Sequence, residues 1–589
     1  MTMSQTQPSL DIGLIGNNRI AALVDRQARI CFACFPALYG DPVFSSLING
    51  NDPKAGYWDI AVKDQIRCES AYLGETAILR HVLTDRHGSV AEVLDFCPRS
   101  DADYPMLLMR LVRPLSGAPE LVTSLKPLGD YGAVELQAED QHGQITWDAP
   151  YGPLHLNSNA PVQPLMTGKA IPLDRPVALC FGESVNPAQA DDLLEATSDW
   201  WRNFVEELIH APKGDRREAV IRAAITLQLT SYAPSGGMVA AFTTSVPEHH
   251  GSERNWDYRF VWLRDSFYTL DALTRLGSSR ALKDYKQFCD KIIAEAHSPA
   301  LQPLYGLNGE QKLSERVVEY LQGYRGMGPV RSGNLAYIQQ QNDNMGSVIL
   351  ALEHLFHHDV LADAELHDMF TRLEPLGDEA ARLFDQPDAG IWEYRTIQRV
   401  QTYSALMCWA SCAALSRMAD QLGLDDRCRH WADEAHRLRE VIAERSYNAD
   451  MNSFVDCFDG RDMDASILML ARFGLVPATD PRFLGTLDCI GEHLLHGQHL
   501  YRYVFPDDFG EPETAFTICT FWFADALARA GRLDQAKGLY DNLIASRNSF
   551  GLLSEDIDTR TGELWGNFPQ AYSMAGLIMT ALTLEAVDN

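Results

Sequence analysis

Long apolar runs are missing from this sequence. The best of them, Ala405 to Leu415, is about half of the roughly 20 residues that a bilayer-spanning helix needs, so no transmembrane helix is expected. Basic residues are also in deficit: 50 Lys and Arg face 80 Asp and Glu, a formal charge of −30. A surface of that sign repels phosphate backbones and anionic headgroups, which argues against nucleic-acid and membrane partners. It leaves carbohydrate, peptide and small-metabolite chemistry open. The opening MTMSQTQPSLDIG has no basic segment followed by an apolar core, so no secretory leader is expected. The 12 cysteines are scattered from Cys31 to Cys519 without a dense framework. Reduced thiols and a cytoplasmic location are therefore expected.

Several chemistries lack their motifs. There is no G-x-S-x-G, Walker A loop or G-x-G-x-x-G, which leaves serine hydrolases, P-loop NTPases and Rossmann dehydrogenases unsupported. Cys31-x-x-Cys34 has no second pair for zinc. His493, His496 and His499 are three apart but read as exposed histidines near a loop. Asp459, Asp462 and Asp464 lack the Gly and terminal Glu of a calcium loop. No metal or cofactor is expected.

What is present is an ordinary globular composition, 46% hydrophobic and 22% charged over 589 residues, enough for two to four domains. Up to about Pro187 the chain is a series of short β-rich segments, among them Ala21–Val24, Ala77–Leu83, Val90–Phe96 and Met106–Val112. Turn clusters such as Asp85-Arg86-His87-Gly88 separate them, as in an antiparallel sandwich. Apolar pairs at Leu193-Leu194, Trp200-Trp201, Phe204-Val205 and Leu208-Ile209 then mark an amphipathic helix, and Pro212-Lys213-Gly214-Asp215 breaks it. We expect a β-domain over 1–190, a linker helix within 191–215 and a helical domain over 216–589. Helical periodicity recurs there at 216–232, 261–276, 282–296, 334–357, 365–384, 401–420, 425–446, 463–473, 482–496, 514–530, 533–546 and 570–586. Twelve such segments suit an α/α toroid, although an open solenoid would give the same count.

Three segments could carry chemistry. In Asp388-Ala389-Gly390-Ile391-Trp392-Glu393-Tyr394-Arg395 a carboxyl stands beside a Trp, where desolvation would raise its pKa and keep a proton available. On residue types alone it reads equally as a surface loop with a Glu–Arg pair. In Gly551 to Asp558 the acid Glu555 is followed by Gly562, Trp565, Gly566 and Pro569, the setting of a rigid pocket or of a solvated acidic turn. Two carboxylates on separate loops could flank a glycosidic bond, one protonating the leaving oxygen and one activating water. The third, Asn255 to Asp265, mixes four aromatic with four charged residues, as sugar recognition requires; a buried Asp–Arg network under aromatic rings is the other reading.

Longer blocks carry a resemblance. Ile15-Gly16-Asn17-Asn18-Arg19, Ala240-Ala241-Phe242-Thr243-Thr244-Ser245-Val246-Pro247-Glu248, Arg254-Asn255-Trp256-Asp257-Tyr258-Arg259, Gly323-Tyr324-Arg325-Gly326, Gly390-Ile391-Trp392-Glu393 and Gly566-Asn567-Phe568-Pro569-Gln570-Ala571 follow in order. Together they resemble glycoside hydrolase family 15, the glucoamylase-like enzymes that also include bacterial trehalases. The resemblance implies an N-terminal super-sandwich, a linker helix and an (α/α)6 barrel. It implies an inverting exo-acting α-glucoside hydrolase, glucoamylase-like first, α,α-trehalase as the alternative and a carbohydrate-binding protein without turnover as the lesser one. It places Glu393 as general acid and Glu555 as general base, with carboxyl groups about 6.5–9.5 Å apart. It gives Arg264 and Asp265 the grip on the terminal glucose, Trp262 and Trp392 the aromatic walls, and Arg502 a substrate contact. The implied partner is an α-glucoside or oligosaccharide; the oligomeric state is left open, a homo-oligomer included. Ala37, Ala405 and Met574 depart from residues usual in the family, and the leaving-group side is where these departures are expected to act.

Overall fold

The computed structural model describes residues 7–296, 298–358 and 361–588. Met1–Thr6, part of the segment read for a leader, and Asn589, the expected end of the helical domain, lie outside them.

The N-terminal third is built from two antiparallel sheets. One runs in the order Ile12–Gly16, Ala21–Asp25, Ile30–Phe35, Tyr57–Val62, Glu120–Lys126, Ile171–Pro172, with Asp41–Phe44 also on Ile30–Phe35. The other has eight strands, with Leu107–Ser116 between Val177–Gly182 and Val90–Phe96 and with Gln65–Tyr72 at its edge. Burial alternates along Tyr57–Val62 and Leu79–Asp85, because successive side chains of a strand face opposite ways and only one face meets the other sheet. Between the sheets, Phe35, Phe44, Trp58 and Trp147 surround Phe181 with ring centroids 5.3–5.8 Å away. A charged pillar crosses this core: Arg110, fully buried, donates two 2.8 Å hydrogen bonds to Asp95 and others to the carbonyls of Trp58 and Ala28 in the opposite sheet.

Beyond a short helix α1 (Val162–Thr167), α2 (Ala190–Glu207) joins the two parts. Its Trp200 lies between the guanidinium of Arg99, on the sandwich side, and that of Arg280, on the helical side. The rest is a double ring. The outer helices are α3 (Arg217–Thr230), α5 (Arg280–Glu295), α7 (Asp363–Leu383), α9 (Asp425–Arg445), α11 (Pro481–Leu494) and α13 (Leu533–Ala545). They alternate with α4 (Leu263–Leu276), α6 (Asn344–His357), α8 (Thr402–Gln421), the pair Ala465–Leu468 and α10 (Met469–Arg472), α12 (Thr517–Arg529) and α14 (Ala571–Asp588). Members of the second set pack against one another in sequence, and α14 returns to α4. They are buried on nearly every side, whereas α5, α9 and α11 bury one stripe only. This closure is the α/α toroid; a solenoid would leave α4 and α14 apart.

One helix begins later than its periodicity suggests. The pattern over 334–357 predicts a continuous helix, but Leu335–Ile338 is a single 3-10 turn capped by Asn334, and α6 starts at Asn344. The backbone between is spent elsewhere: the Gln340 carbonyl accepts from Ala389 N–H, and Asn342 N–H donates to Asp388. Helix α3 lies between ring and sandwich, where Arg222 stacks 3.4 Å from the Tyr72 ring and donates to the Thr76 carbonyl. Among the described residues no helix is long and apolar enough to cross a membrane. All 12 cysteines are free thiols.

Candidate active site

The side chains singled out by sequence come together at one end of the toroid, because they lie in the first turn of an inner helix, as Arg264 and Asp265 do in α4, or in the loops that lead into one. Trp262 is the residue before α4, Asp343 before α6, Asp464 before Ala465–Leu468 and Phe516 before α12. The N-terminal ends of α4, α12 and α14 thus line one cavity, and the partial positive charge of those ends favours a carboxylate-rich site. The cavity has a volume of about 260 Å³; Trp262, Arg264, Asp265, Trp392, Glu393 and Arg502 all line it.

Glu393 sits at the tip of the loop leading to α8, in the left-handed backbone region at φ 60°. The loop is anchored by Asp388, whose carboxylate accepts from Asn342 N–H at 2.8 Å and the Ser404 hydroxyl at 2.7 Å. It passes so close to α8 that a Cβ on Gly390 would lie 2.9 Å from Gln401. Oε1 of Glu393 accepts from the Trp262 indole at 2.6 Å, Gln341 at 3.2 Å and Arg264 at 3.4 Å. Arg264 is itself aligned by Gln341 and Asp343, both at 3.1 Å. Next to it Asp265 is buried, and desolvation pushes its carboxyl up to about 7 against the pull of Arg264. The Trp392 indole donates to Asp464 at 2.6 Å and packs against Tyr503, Phe516 and Trp522.

Glu555 stands deeper. It is 2% exposed, accepts from the Tyr258 hydroxyl at 2.6 Å and from Asn567 N–H at 3.1 Å, and leaves no room for a Cβ on Gly566. Tyr258 lines the cavity, and its ring lies 5.3 Å from that of Trp262. The two carboxyls are therefore held by the two members of one aromatic pair. The Glu393 side chain beside Trp392 is 23% exposed, less desolvated than its aromatic setting led us to expect, and the carboxyl enclosed by protein is Glu555. Burial, and then the charges of Asp556 and Glu248, raise its pKa well above the usual carboxylate range.

Glu248, Glu555 and Asp556 bring oxygens within 4.8 Å of one another, close enough for a cation among the described residues. Protein groups already meet this charge: Arg502 donates to Glu248 at 2.7 Å, Thr514 to Asp556 at 3.0 Å and Tyr258 to Glu555. Sequence reasoning passed over Glu248, Tyr258, Gln341 and Asp464 as site residues. The first two lie inside the quoted blocks, and a loop Glu directly after Pro247 was a usable signal. Asp464 belongs to the acidic triplet weighed for calcium, whose other members turn to Arg445 and Arg399. His493 and His496 are exposed, but His499 is 7% exposed and its Nε2 accepts from the Asn542 amide at 3.3 Å, contrary to the reading of three exposed histidines. The departures Ala37, Ala405 and Met574 are buried in the core and do not line the cavity, so they do not shape its leaving-group side by contact.

Comparison with known proteins agrees with this architecture. Residues 4–163 match the family model described as trehalase-like, N-terminal. A trehalase from Thermoplasma volcanium is 32% identical, covering 97% of this chain and 93% of its own, and one from Mycolicibacterium smegmatis is 30% identical, covering 97% and 90%. A bacterial glucoamylase solved with acarbose superposes with a TM-score of 0.65 over 99% of this chain and 94% of its own; at 14% identity it speaks to the fold. Residues 214–582, which hold both carboxyls and every inner helix, match the model for glycosyl hydrolases family 15, and the chain is a member of that family of glycoside hydrolases.

Proposed function

We propose that this hydrolase is an inverting α,α-trehalase, with Glu393 as general acid and Glu555 as general base. The sequence resemblance put a glucoamylase-like enzyme first and α,α-trehalase as the alternative; the alternative is the one preferred here. Relatives named trehalase match nearly end to end at 30% identity or more, whereas the glucoamylase likeness is one of fold. The observation that carries the proposal is this full-length similarity taken with the two carboxyls, Glu393 and Glu555, held at one cavity by the Trp262–Tyr258 ring pair.

In this reading Arg264 and Asp265 grip the hydroxyls of one glucose between Trp262 and Trp392. Glu393 gives its proton to the glycosidic oxygen as the C1–O bond breaks. Water attacks C1 from the opposite face, its oxygen forming the new bond and its proton passing to Glu555. Tyr258 and the Asn567 N–H stabilise the ionised base that this step requires, while the neighbouring Glu248 and Asp556 oppose it. The opposition sets the acidic limit of activity: turnover rises with pH as Glu555, held above the usual carboxylate range, gives up its proton.

Proton NMR of the anomeric signals during trehalose cleavage tests all of this. Inversion at one of two α-linked glucoses releases β-glucose and α-glucose in equal amounts at early times. Release of α-glucose alone would mean retention, and cleavage of maltotetraose without trehalose would restore the glucoamylase reading.

A further inference from the structure

Resting on the α-glucoside reading above, we infer that the outer half of the cavity takes an apolar leaving group, so that alkyl and aryl α-glucosides are substrates. The leaving group must lie beside the acid that protonates its oxygen, and the chain on either side of Glu393 is flanked by apolar surface. Gln339 donates to the Glu393 carbonyl at 3.1 Å. The turn just before it presents Leu335 and Ile338, which line the cavity and are 38% and 68% exposed. On the other side Arg395 lies 4.2 Å over the Trp256 ring and 5.6 Å from that of Phe509, two cavity-lining rings 5.3 Å apart. Phe509 is 40% exposed.

Large apolar side chains gathered at the mouth of a polar cavity call for an occupant. The polar groups of this rim are already engaged. Asp508 accepts from Arg395 N–H at 2.6 Å and Thr396 N–H at 3.1 Å, and the Arg395 guanidinium is stacked on rings and reaches Glu315. What remains is Leu335, Ile338 and Phe509, all exposed and lining the cavity, while the Trp256 ring is covered by Arg395 and Arg331. A hydrocarbon chain attached to the glycosidic oxygen would cover them. The bond changes are those of the glycoside hydrolysis above: the Glu393 proton goes to the departing alcohol, and water supplies the hydroxyl at C1.

The test is kcat/KM for methyl, butyl, hexyl and octyl α-glucosides, whose leaving alcohols have similar acidity, with trehalose in parallel. Each methylene that packs on the rim is worth up to about fourfold, so octyl should exceed methyl by about tenfold or more, chiefly through KM. Ile338→Asn and Phe509→Ser, at exposed positions where truncation leaves the core intact, should each flatten the series within the same variant. Trehalose cleaved with a flat alkyl series overturns the inference and leaves the trehalase reading standing; no cleavage of any α-glucoside overturns that reading first. Sedimentation of both proteins covers the remaining occupant: a wild-type dimer that Ile338→Asn dissociates without changing the alkyl slope makes this collar a contact between copies and ends the inference.

Discussion

Glu555→Gln separates chemistry from stability, because the surroundings that equip this carboxyl for catalysis also make its charge costly. Glutamine keeps the volume and both hydrogen bonds: its carbonyl can accept from Asn567 N–H while its amide donates to the Tyr258 oxygen. What disappears is one ionisable group of three whose oxygens lie within 4.8 Å. At that spacing two charges repel by about 3.5 kcal/mol even at an effective dielectric constant of about 20. With its pKa raised by burial and by Asp556 and Glu248, the folded protein retains a proton that the unfolded chain releases near pH 4. The stability this confers is complete below about pH 4 and falls by about 1.4 kcal/mol per pH unit above it, until the folded site ionises. The glutamine does not titrate. The variant should therefore melt close to wild type at about pH 4 and progressively above it as pH rises, while its kcat on trehalose falls by about 10² to 10⁴-fold. Melting curves across this range, with turnover on the same samples, check both halves. A melting difference that stays constant with pH would falsify the buried-proton argument, and undiminished turnover would remove Glu555 from the role of base.

Glu248→Gln takes one negative charge from beside Glu555 without touching its hydrogen bonds; the acidic limb of kcat/KM should move to lower pH, and an unmoved limb would uncouple the two. Asp464→Ala strips the Trp392 indole of its acceptor and the Ala465–Leu468 turn of its cap. We expect a loss of about 2–4 kcal/mol in denaturant unfolding, together with a drop in kcat that Asp464→Asn partly restores. Arg110→Met leaves Asp95 buried beside His81 without its cation, a change of about 3–5 kcal/mol that should appear as a lower melting temperature. Stability itself should peak at about pH 4–5. Burial raises Asp265, Asp388 and Asp464 to about 7, so what they contribute is lost as pH rises from about 4 to 7. Asp271 and Asp525 stay low despite burial, through His354, Arg275 and Arg472 and through Arg472 and Arg529, so their contribution is lost as pH falls below about 4. A melting temperature that climbs steadily to pH 8 would contradict this.

Local regularities were legible in the residues. The strand Val90–Phe96 is where alternation puts it, and Gly277 ends α4 in the left-handed region that its position required. Helix segments were legible because apolar spacing records which face is buried, whatever it is buried against. Where that rule failed, at 334–343, the backbone serves the loop that carries Glu393, a demand that periodicity does not encode. Both loop carboxyls were visible as acids set among Trp, Gly and Pro, a pattern that reflects the pocket each must fit.

Partnership was not legible. Tyr258 meets Glu555 across 297 positions of sequence because the ring closes with α14 against α4, and Trp392 meets Asp464 across 72 because consecutive inner elements pack side by side. Packing in three dimensions, in the sandwich for Ala37 and in the ring for Ala405 and Met574, decided that these are core residues, and likewise that Glu555 is the enclosed carboxyl while Glu393 keeps access to solvent. The sequence by itself determined the elements, their order and the residue types able to move protons, since propensity, periodicity and side-chain chemistry act over a few residues. The tertiary structure decided which carboxyl is desolvated and what faces it, because solvation and electrostatic coupling depend on distance in space.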